Sequence, residues 1–198
     1  MKRFAVLKLA VMAVASAGLL STIAPPQAAA QGIFSSIFGG GGGGSWQTGR
    51  REISFSPKYG RGTIIVSFAD RRLYYIHKKG GALSYPIGVP TGKASWAGTL
   101  RVSRKAVNPG WTPTASMRRE NPKLPGHVKG GDPRNPLGVR ALYLGNTLYR
   151  IHGTDAPWTI GQVVTSGCIR LYNNDVIDLY KRAGVGTKVI VTNRRVAS

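Results

Sequence analysis

Cys168 is the only cysteine in this 198-residue chain, and it lies sixteen residues after His152 in the stretch IHGTDAPWTIGQVVTSGCIRL, Ile151 to Leu171. One thiol cannot form an intramolecular disulfide, so it serves either as a small buried hydrophobe or as a nucleophile. Nucleophilic catalysis by a thiol needs a nearby base and main-chain N–H groups aimed at a developing oxyanion. A free thiol titrates near ~8.5, so only a small fraction is thiolate at neutral pH, and an imidazole partner removes that deficit. His152 ends an expected strand and is followed by Gly153, which leaves the backbone beside it unobstructed. Cys168 follows Ser166-Gly167, where glycine permits a tight turn and close approach of a substrate to the main chain. By spacing alone the two residues can face one another across a loop, which does not by itself decide between the two roles. The three scattered histidines and one cysteine have no metal-ligand spacing, and no cofactor motif is present.

The compartment bears on what the thiol can do. Met1 to Lys8 carries Lys2, Arg3 and Lys8 with no acid, LAVMAVASAGLLSTI (Leu9–Ile23) is uncharged, and Ala28-Ala29-Ala30 supplies small residues for cleavage. This pattern reads as a signal peptide over residues 1–30, with export to the periplasm or cell wall. The apolar run is short of the ~20 residues a membrane span requires, so no transmembrane segment is expected in the mature chain. In an oxidising compartment a spare thiol is a liability, open to mixed disulfides and oxidation.

The formal net charge is +21, and removing the three basic leader residues leaves about +18. Such a surface attracts polyanions. Export argues against nucleic acid and for anionic wall or outer-membrane polymers.

The elements that must position the pair read mostly as strands. Residues 31–62 include six consecutive glycines, Gly39–Gly44, and are expected as a flexible segment. A single domain follows over residues 63–192, and 193–198 form a basic tail. TIIVSF (Thr63–Phe68) and RLYYIH (Arg72–His77) flank Ala69-Asp70-Arg71 and read as a hairpin. ALSYPIGV (Ala82–Val89), GTLRVSRKAV (Gly98–Val107), ALYL and TLYRIH about Gly145-Asn146, and KVIVT (Lys188–Thr192) complete the strands. One helix is expected, in NNDVIDLYKRAG, capped by Asn173 or Asn174. Asp175 and Asp178 suit its positive end, Lys181 and Arg182 its negative end, and Gly184 stops it. Val176, Leu179, Tyr180 and Ala183 share one face, to pack on a sheet. Residues 108–138 form a long irregular stretch with six prolines. If ordered, a loop this long acts as a lid or groove wall; disorder is the alternative.

The pattern HGT…P…IG…SGCIRL.N.DV.DLY…GT.V.I, with IIVSFADRRLYYI, YPIGVPTGK and NPLGVRALYL before it, resembles the L,D-transpeptidase (YkuD-type) catalytic domain over roughly residues 63–192. The resemblance implies a mainly β, β-sandwich-like fold of mostly antiparallel strands with one prominent helix after the catalytic cysteine. It implies an acyltransferase acting on peptidoglycan stem peptides, with carbapenems as acylating inhibitors.

Carried over by that resemblance, Cys168 is the nucleophile, His152 the base and the Gly153 carbonyl the orienter of the imidazole, with Asp155 the rival orienter. The N–H groups of Gly167 and Cys168 form the oxyanion hole. Arg170, Ser166, Trp158 and Tyr149 are candidates for substrate binding, Arg170 to hold a substrate carboxylate or steady the site; Arg170 alternatively forms a salt bridge to Asp175 or Asp178, and Trp158 and Tyr149 alternatively pack in the core. His77 reads as structural and His127 as a loop residue. Two departures stand out: many members carry histidine where this chain has Ser166, and KASWAGTLRVSRKAVNPGW replaces the usual TP.G.F.I segment.

The implied reaction forms a thioester from a tetrapeptide stem and passes the acyl group to an acceptor. A second stem gives a 3→3 cross-link, an envelope-protein amine gives wall anchoring, and water gives an L,D-carboxypeptidase. Two readings from other classes are a non-catalytic wall-binding module and a basic polyanion-binding protein with an inert thiol.

Overall fold

The computed structural model describes residues 48–197. The expected signal peptide and the six glycines lie outside the described residues. The order of elements is β1 (Arg51–Ser54), β2 (Ile64–Ser67), β3 (Arg72–Lys78), β4 (Gly81–Pro86), β5 (Val89–Pro90), β6 (Gly98–Val107), α1 (Ala115–Glu120), β7 (Arg140–Leu144), β8 (Arg150–His152), β9 (Val163–Thr165), β10 (Ile169–Arg170), α2 (Asn173–Arg182) and β11 (Lys188–Thr192).

Nine strands form one curled sheet in the order β1-β4-β3-β2-β11-β6-β7-β8-β10, and β5 and β9 pair separately. Most neighbours are antiparallel; β2 with β11, β8 with β10 and β5 with β9 are parallel. The expected hairpin is present, with Ile64 opposite Tyr75 and Ser67 opposite Arg72. Alternation along these strands divides the buried residues between two faces. Ile64, Val66 and Leu73 enter the main core with Leu142, Ile151, Ile169, Val176 and Leu179. Ile65, Tyr74 and Ile76 enter a second cluster with Phe55 and Ala82, which Tyr59 and Val196 help to cover. Both faces of this hairpin are thus covered, which explains its nearly unbroken apolar run. Truncating a main-core side chain such as Ile151 to alanine would cost about 2–5 kcal/mol.

Helix α2 follows the expected face: Val176, Leu179 and Ala183 are buried and Tyr180 packs against the same core. Its N-terminus differs from expectation. The cap residue is Tyr172, with no side-chain capping bond. Asn173 belongs to the first turn, and its Oδ1 accepts from Thr154 N at 3.0 Å. The amide side chain ties the helix to the loop after His152.

Two further expectations are corrected. The segment up to Gly62 is not wholly irregular, because β1 pairs antiparallel with β4, Arg51 opposite Ser84. An exposed edge strand is held by its backbone bonds and shows little side-chain period. The chain just before it is fastened too: Thr48 Oγ1 and Gly49 N both donate to Asp175. Second, α1 is a helix absent from the sequence reading, with Thr114 Oγ1 accepting from Met117 N as its cap. Residues 108–138 are folded, which agrees with the lid or groove-wall reading and not with the disordered alternative. Trp111 and Val128 exchange backbone hydrogen bonds of 2.9 and 2.8 Å. Buried Asn135 donates to the Pro109 and Lys129 carbonyls and accepts from Leu137 N. Every polar group of that amide is matched inside the loop, which gives the segment its own hub. No helix among the described residues is long and apolar enough to cross a membrane.

Candidate active site

Strands β8 and β10 run parallel with Ile169 beside Ile151 and Arg170 beside His152. Register partners in a sheet project to the same face, and alternate residues to opposite faces. The two isoleucines are fully buried in the core. His152 and Arg170, and Arg150 and Cys168 two residues earlier, therefore share the other face. These four side chains line one cavity of about 130 Å³. Ser166, Thr165 and Val164 complete its β9 side, and Trp111, Thr112, Thr114, Met117, Pro136 and Leu137 wall it from the long loop. The lid or groove wall expected of an ordered loop is there.

His152 is 2% exposed. Its Nδ1 lies 2.5 Å from the Gly153 carbonyl oxygen. A carbonyl can only accept, so Nδ1 carries the proton and the neutral ring keeps its lone pair on Nε2. Burial pushes the imidazole down to about 3, the nearby Arg170 and Arg150 cations act in the same direction, and the Gly153 carbonyl opposes them. Asp155, the rival orienter, has no hydrogen bond to the ring; burial holds its carboxyl above the usual range. Gly153 fits only as glycine, because a Cβ there would collide with Asn173 Oδ1.

The turn before the thiol is clamped from behind. Gly167 has φ +122°, and a Cβ there would lie 2.8 Å from Tyr149 Cε1. Tyr149 stacks on Trp96 with ring centroids 4.2 Å apart and an interplanar angle of 9°. Trp96 Nε1 donates to the Gly167 carbonyl at 3.0 Å, and Thr165 Oγ1 donates to the Cys168 carbonyl at 2.6 Å. In a trans peptide the C=O and the following N–H point in opposite directions. Trp96, by holding Gly167 O, thus fixes where the Cys168 N–H points. Cys168 is partly exposed, and its Sγ lies 3.8 Å from the Leu148 carbonyl.

The substrate-binding candidates separate. Ser166 and Arg170 line the cavity. Arg170 makes no ion pair with Asp175 or Asp178 among the described residues. Asp178 is engaged by Arg50, Arg182 and Tyr85, and Asp175 by the chain at 48–49. Instead Arg170 Nη1 donates to Thr159 Oγ1 at 2.9 Å. Burial lowers its guanidinium from the ordinary value while Asp155 and Cys168 counteract it. Tyr149 stands behind the Gly167 turn rather than in the cavity. Trp158 is neither in the core nor in the cavity lining: it is 76% exposed on the 3-10 turn Pro157–Thr159. His127 is exposed, bonded to Thr112 Oγ1 at 2.9 Å, and lines a neighbouring cavity of about 710 Å³ that shares Trp111 and Pro136 with the first. His77 is paired with Glu52 at 3.2 Å. Sequence reasoning missed Trp96 and Arg150. Only Arg150, two residues before His152 on an alternating strand, left a local signal.

A thiol, a neutral imidazole held through Nδ1 by a carbonyl, and a glycine turn before the thiol now have shared geometry to set beside known proteins. The family model for the YkuD L,D-transpeptidase catalytic domain matches residues 61–191. Probable L,D-transpeptidase YbiS of Escherichia coli is 43% identical over 135 residues, which cover 64% of this chain and 43% of YbiS. The chain thus spans less than half the length of that relative. Putative L,D-transpeptidase YqjB of Bacillus subtilis is 35% identical over 145 residues, 70% of this chain and 75% of that protein. The solved catalytic domain of the E. faecium L,D-transpeptidase overlays with a TM-score of 0.50 at 19% identity, covering 66% of this chain and 95% of that one, and so shares the fold. By the extent of the family match and the identity of these relatives, this chain belongs to the YkuD family of L,D-transpeptidase catalytic domains.

Proposed function

We propose that this protein is an exported cysteine-dependent L,D-transpeptidase that acts on tetrapeptide stems of peptidoglycan. The observation that carries the reading is His152, buried and neutral, held through Nδ1 by the Gly153 carbonyl in the cavity that Cys168 lines. Nε2 is then the free base. It takes the Cys168 proton as sulfur attacks the carbonyl of the third stem residue. The oxyanion lies against the N–H groups of Gly167 and Cys168. As the intermediate collapses, the C–N bond breaks and imidazolium returns its proton to the departing D-alanine amine, leaving a thioester. An acceptor amine attacks that thioester and loses its proton to His152. The thiol is expelled and a new amide bond forms.

The carbonyl orienter does for this imidazole what a carboxylate does in a serine triad, without placing a negative charge beside it. Burial, reinforced by the two nearby guanidinium groups, keeps the ring neutral with its Nε2 lone pair free. The acceptor is a second stem's side-chain amine or an envelope protein's amine. The strongly basic surface supports a site of action among anionic wall polymers.

The test is intact-mass spectrometry of the purified protein mixed with a tetrapeptide-stem muropeptide, beside Cys168→Ala. An adduct equal to the stem less D-alanine on the wild type, missing from the variant, supports the reading. Folded wild type that gives neither adduct nor turnover sinks it. The products released with and without added amine then identify the acceptor.

A further inference from the structure

Arg104 on β6, Tyr143 on β7 and Arg150 on β8 are direct register partners across three strands. The register of β8 against β10, extended by one residue, brings Arg150 level with Cys168. The four residues form one row across the sheet, from exposed Arg104 to the thiol. Within it Tyr143 stands between two cations: the Arg104 guanidinium lies 3.6 Å and that of Arg150 5.2 Å from its ring centroid. Such contacts hold a guanidinium in place without using its hydrogen-bonding edge.

Arg150 reaches the cavity itself. Its Nη1 donates to the Leu148 carbonyl at 3.0 Å, and Cys168 Sγ touches the same oxygen at 3.8 Å. Guanidinium and sulfur are therefore within two hydrogen-bond lengths of each other. The Nε atoms of Arg150 and Arg170 are both buried with no protein acceptor, and neither residue is paired with a carboxylate among the described residues. A planar guanidinium with free donors on its edge matches a carboxylate in geometry and charge.

The geometry points to Arg150 as a specificity residue that binds the free carboxylate of the residue leaving from the stem, beside the scissile bond. This rests on the transpeptidase reading above. In a tetrapeptide donor that carboxylate belongs to the same residue as the departing amine, so it must lie close to Cys168 during attack. Arg150 reads it, Tyr143 positions Arg150, and Arg170 stays anchored on Thr159. A stem whose leaving residue has an amide or a further residue in place of the carboxylate leaves the guanidinium unmatched.

The experiment compares two donors, a tetrapeptide stem with a free C-terminal carboxylate and its C-terminal carboxamide. Both give the same acyl-enzyme, so only attack and departure differ between them. Acylation rates are read by intact mass in the wild type, Arg150→Gln, Arg150→Lys and Tyr143→Leu, each checked for folding by thermal melting. The expected wild-type preference for the acid is about 10- to 100-fold, the range of one charge-assisted contact. In Arg150→Gln the preference collapses towards unity, and in Arg150→Lys, which keeps charge but loses the fork, it is intermediate. Tyr143→Leu weakens it through a higher KM for the acid donor. An unchanged preference in folded Arg150→Gln or Arg150→Lys overturns the assignment, as does a wild type that treats the two donors alike. A wild type acylated by neither donor overturns the transpeptidase reading as well, which separates the two failures.

Discussion

The indole nitrogen of Trp96 lies 3.0 Å from the carbonyl oxygen of Gly167, the residue before Cys168. That bond sets the peptide plane whose N–H is proposed to meet the oxyanion. Trp96→Phe keeps a ring on Tyr149 and removes the donor. We expect kcat for acyl transfer to fall roughly tenfold, less than loss of an oxyanion donor itself. Melting temperature should change little. Steady-state kinetics with a stem donor beside a thermal melt would check this, and an unaltered kcat would remove Trp96 from the site.

Gly167→Ala tests the same turn from the opposite side. Its φ of +122° and the approach of Tyr149 leave no place for a methyl group. The substitution should cost about 1–3 kcal/mol in stability and abolish acylation. Denaturant unfolding and intact mass read the two effects separately.

His152 makes stability depend on acidity. Burial, reinforced by Arg170 and Arg150, pushes the folded imidazole to about 3 from an ordinary 6.5. Between those values the unfolded chain binds a proton that the folded chain does not. Stability from this residue is complete above pH 6.5 and declines as pH falls towards 3. In His152→Gln the stability-versus-pH slope over that window should flatten, measured by denaturant titrations at several pH values. An identical slope would show that the ring does not titrate there.

Asp178 is the hub of a separate network. Burial alone would raise its carboxyl, but hydrogen bonds from Arg182, Tyr85 and Arg50 hold it at about 2. Stability from this group is present above the ordinary 3.8 and is lost as pH falls through 2. Asp178→Ala leaves the buried Tyr85 hydroxyl without its acceptor, 2.6 Å away in the native fold. The expected cost is about 1–3 kcal/mol, with acylation rate retained. Thermal melting at neutral pH beside an acylation assay would decide it.

A carbapenem is a strained acyl donor, and its ring opening on sulfur leaves no small amine to depart. Incubation should add one carbapenem mass to the wild type and none to Cys168→Ala. Intact mass after prolonged incubation is the check, and an unmodified wild type would count against a reactive thiol.

Much of the chemistry was legible along the chain. A lone thiol after Ser166-Gly167 and an imidazole before Gly153 are local patterns, because a glycine turn and a neighbouring carbonyl require only adjacent residues. The hairpin of β2 and β3 and the buried face of α2 were legible for the same reason, since periodicity is a short-range property. β1 was not, because an edge strand is held by backbone bonds that any sequence can make. Asn173 misled as a cap because Tyr172 takes that position, while the Asn173 amide reaches Thr154, a partner nineteen residues away.

The sequence by itself determined which reagents this protein carries, how its strands alternate and which family it resembles. Only the tertiary structure decided what surrounds the reagents. Trp96 reaches Gly167 across seventy-one residues, the loop wall is folded around Asn135, and Arg104, Tyr143, Arg150 and Cys168 become one row when four strands align. Register is set by pairing between distant segments, and a change of one residue would turn Arg150 away from the thiol and into the core.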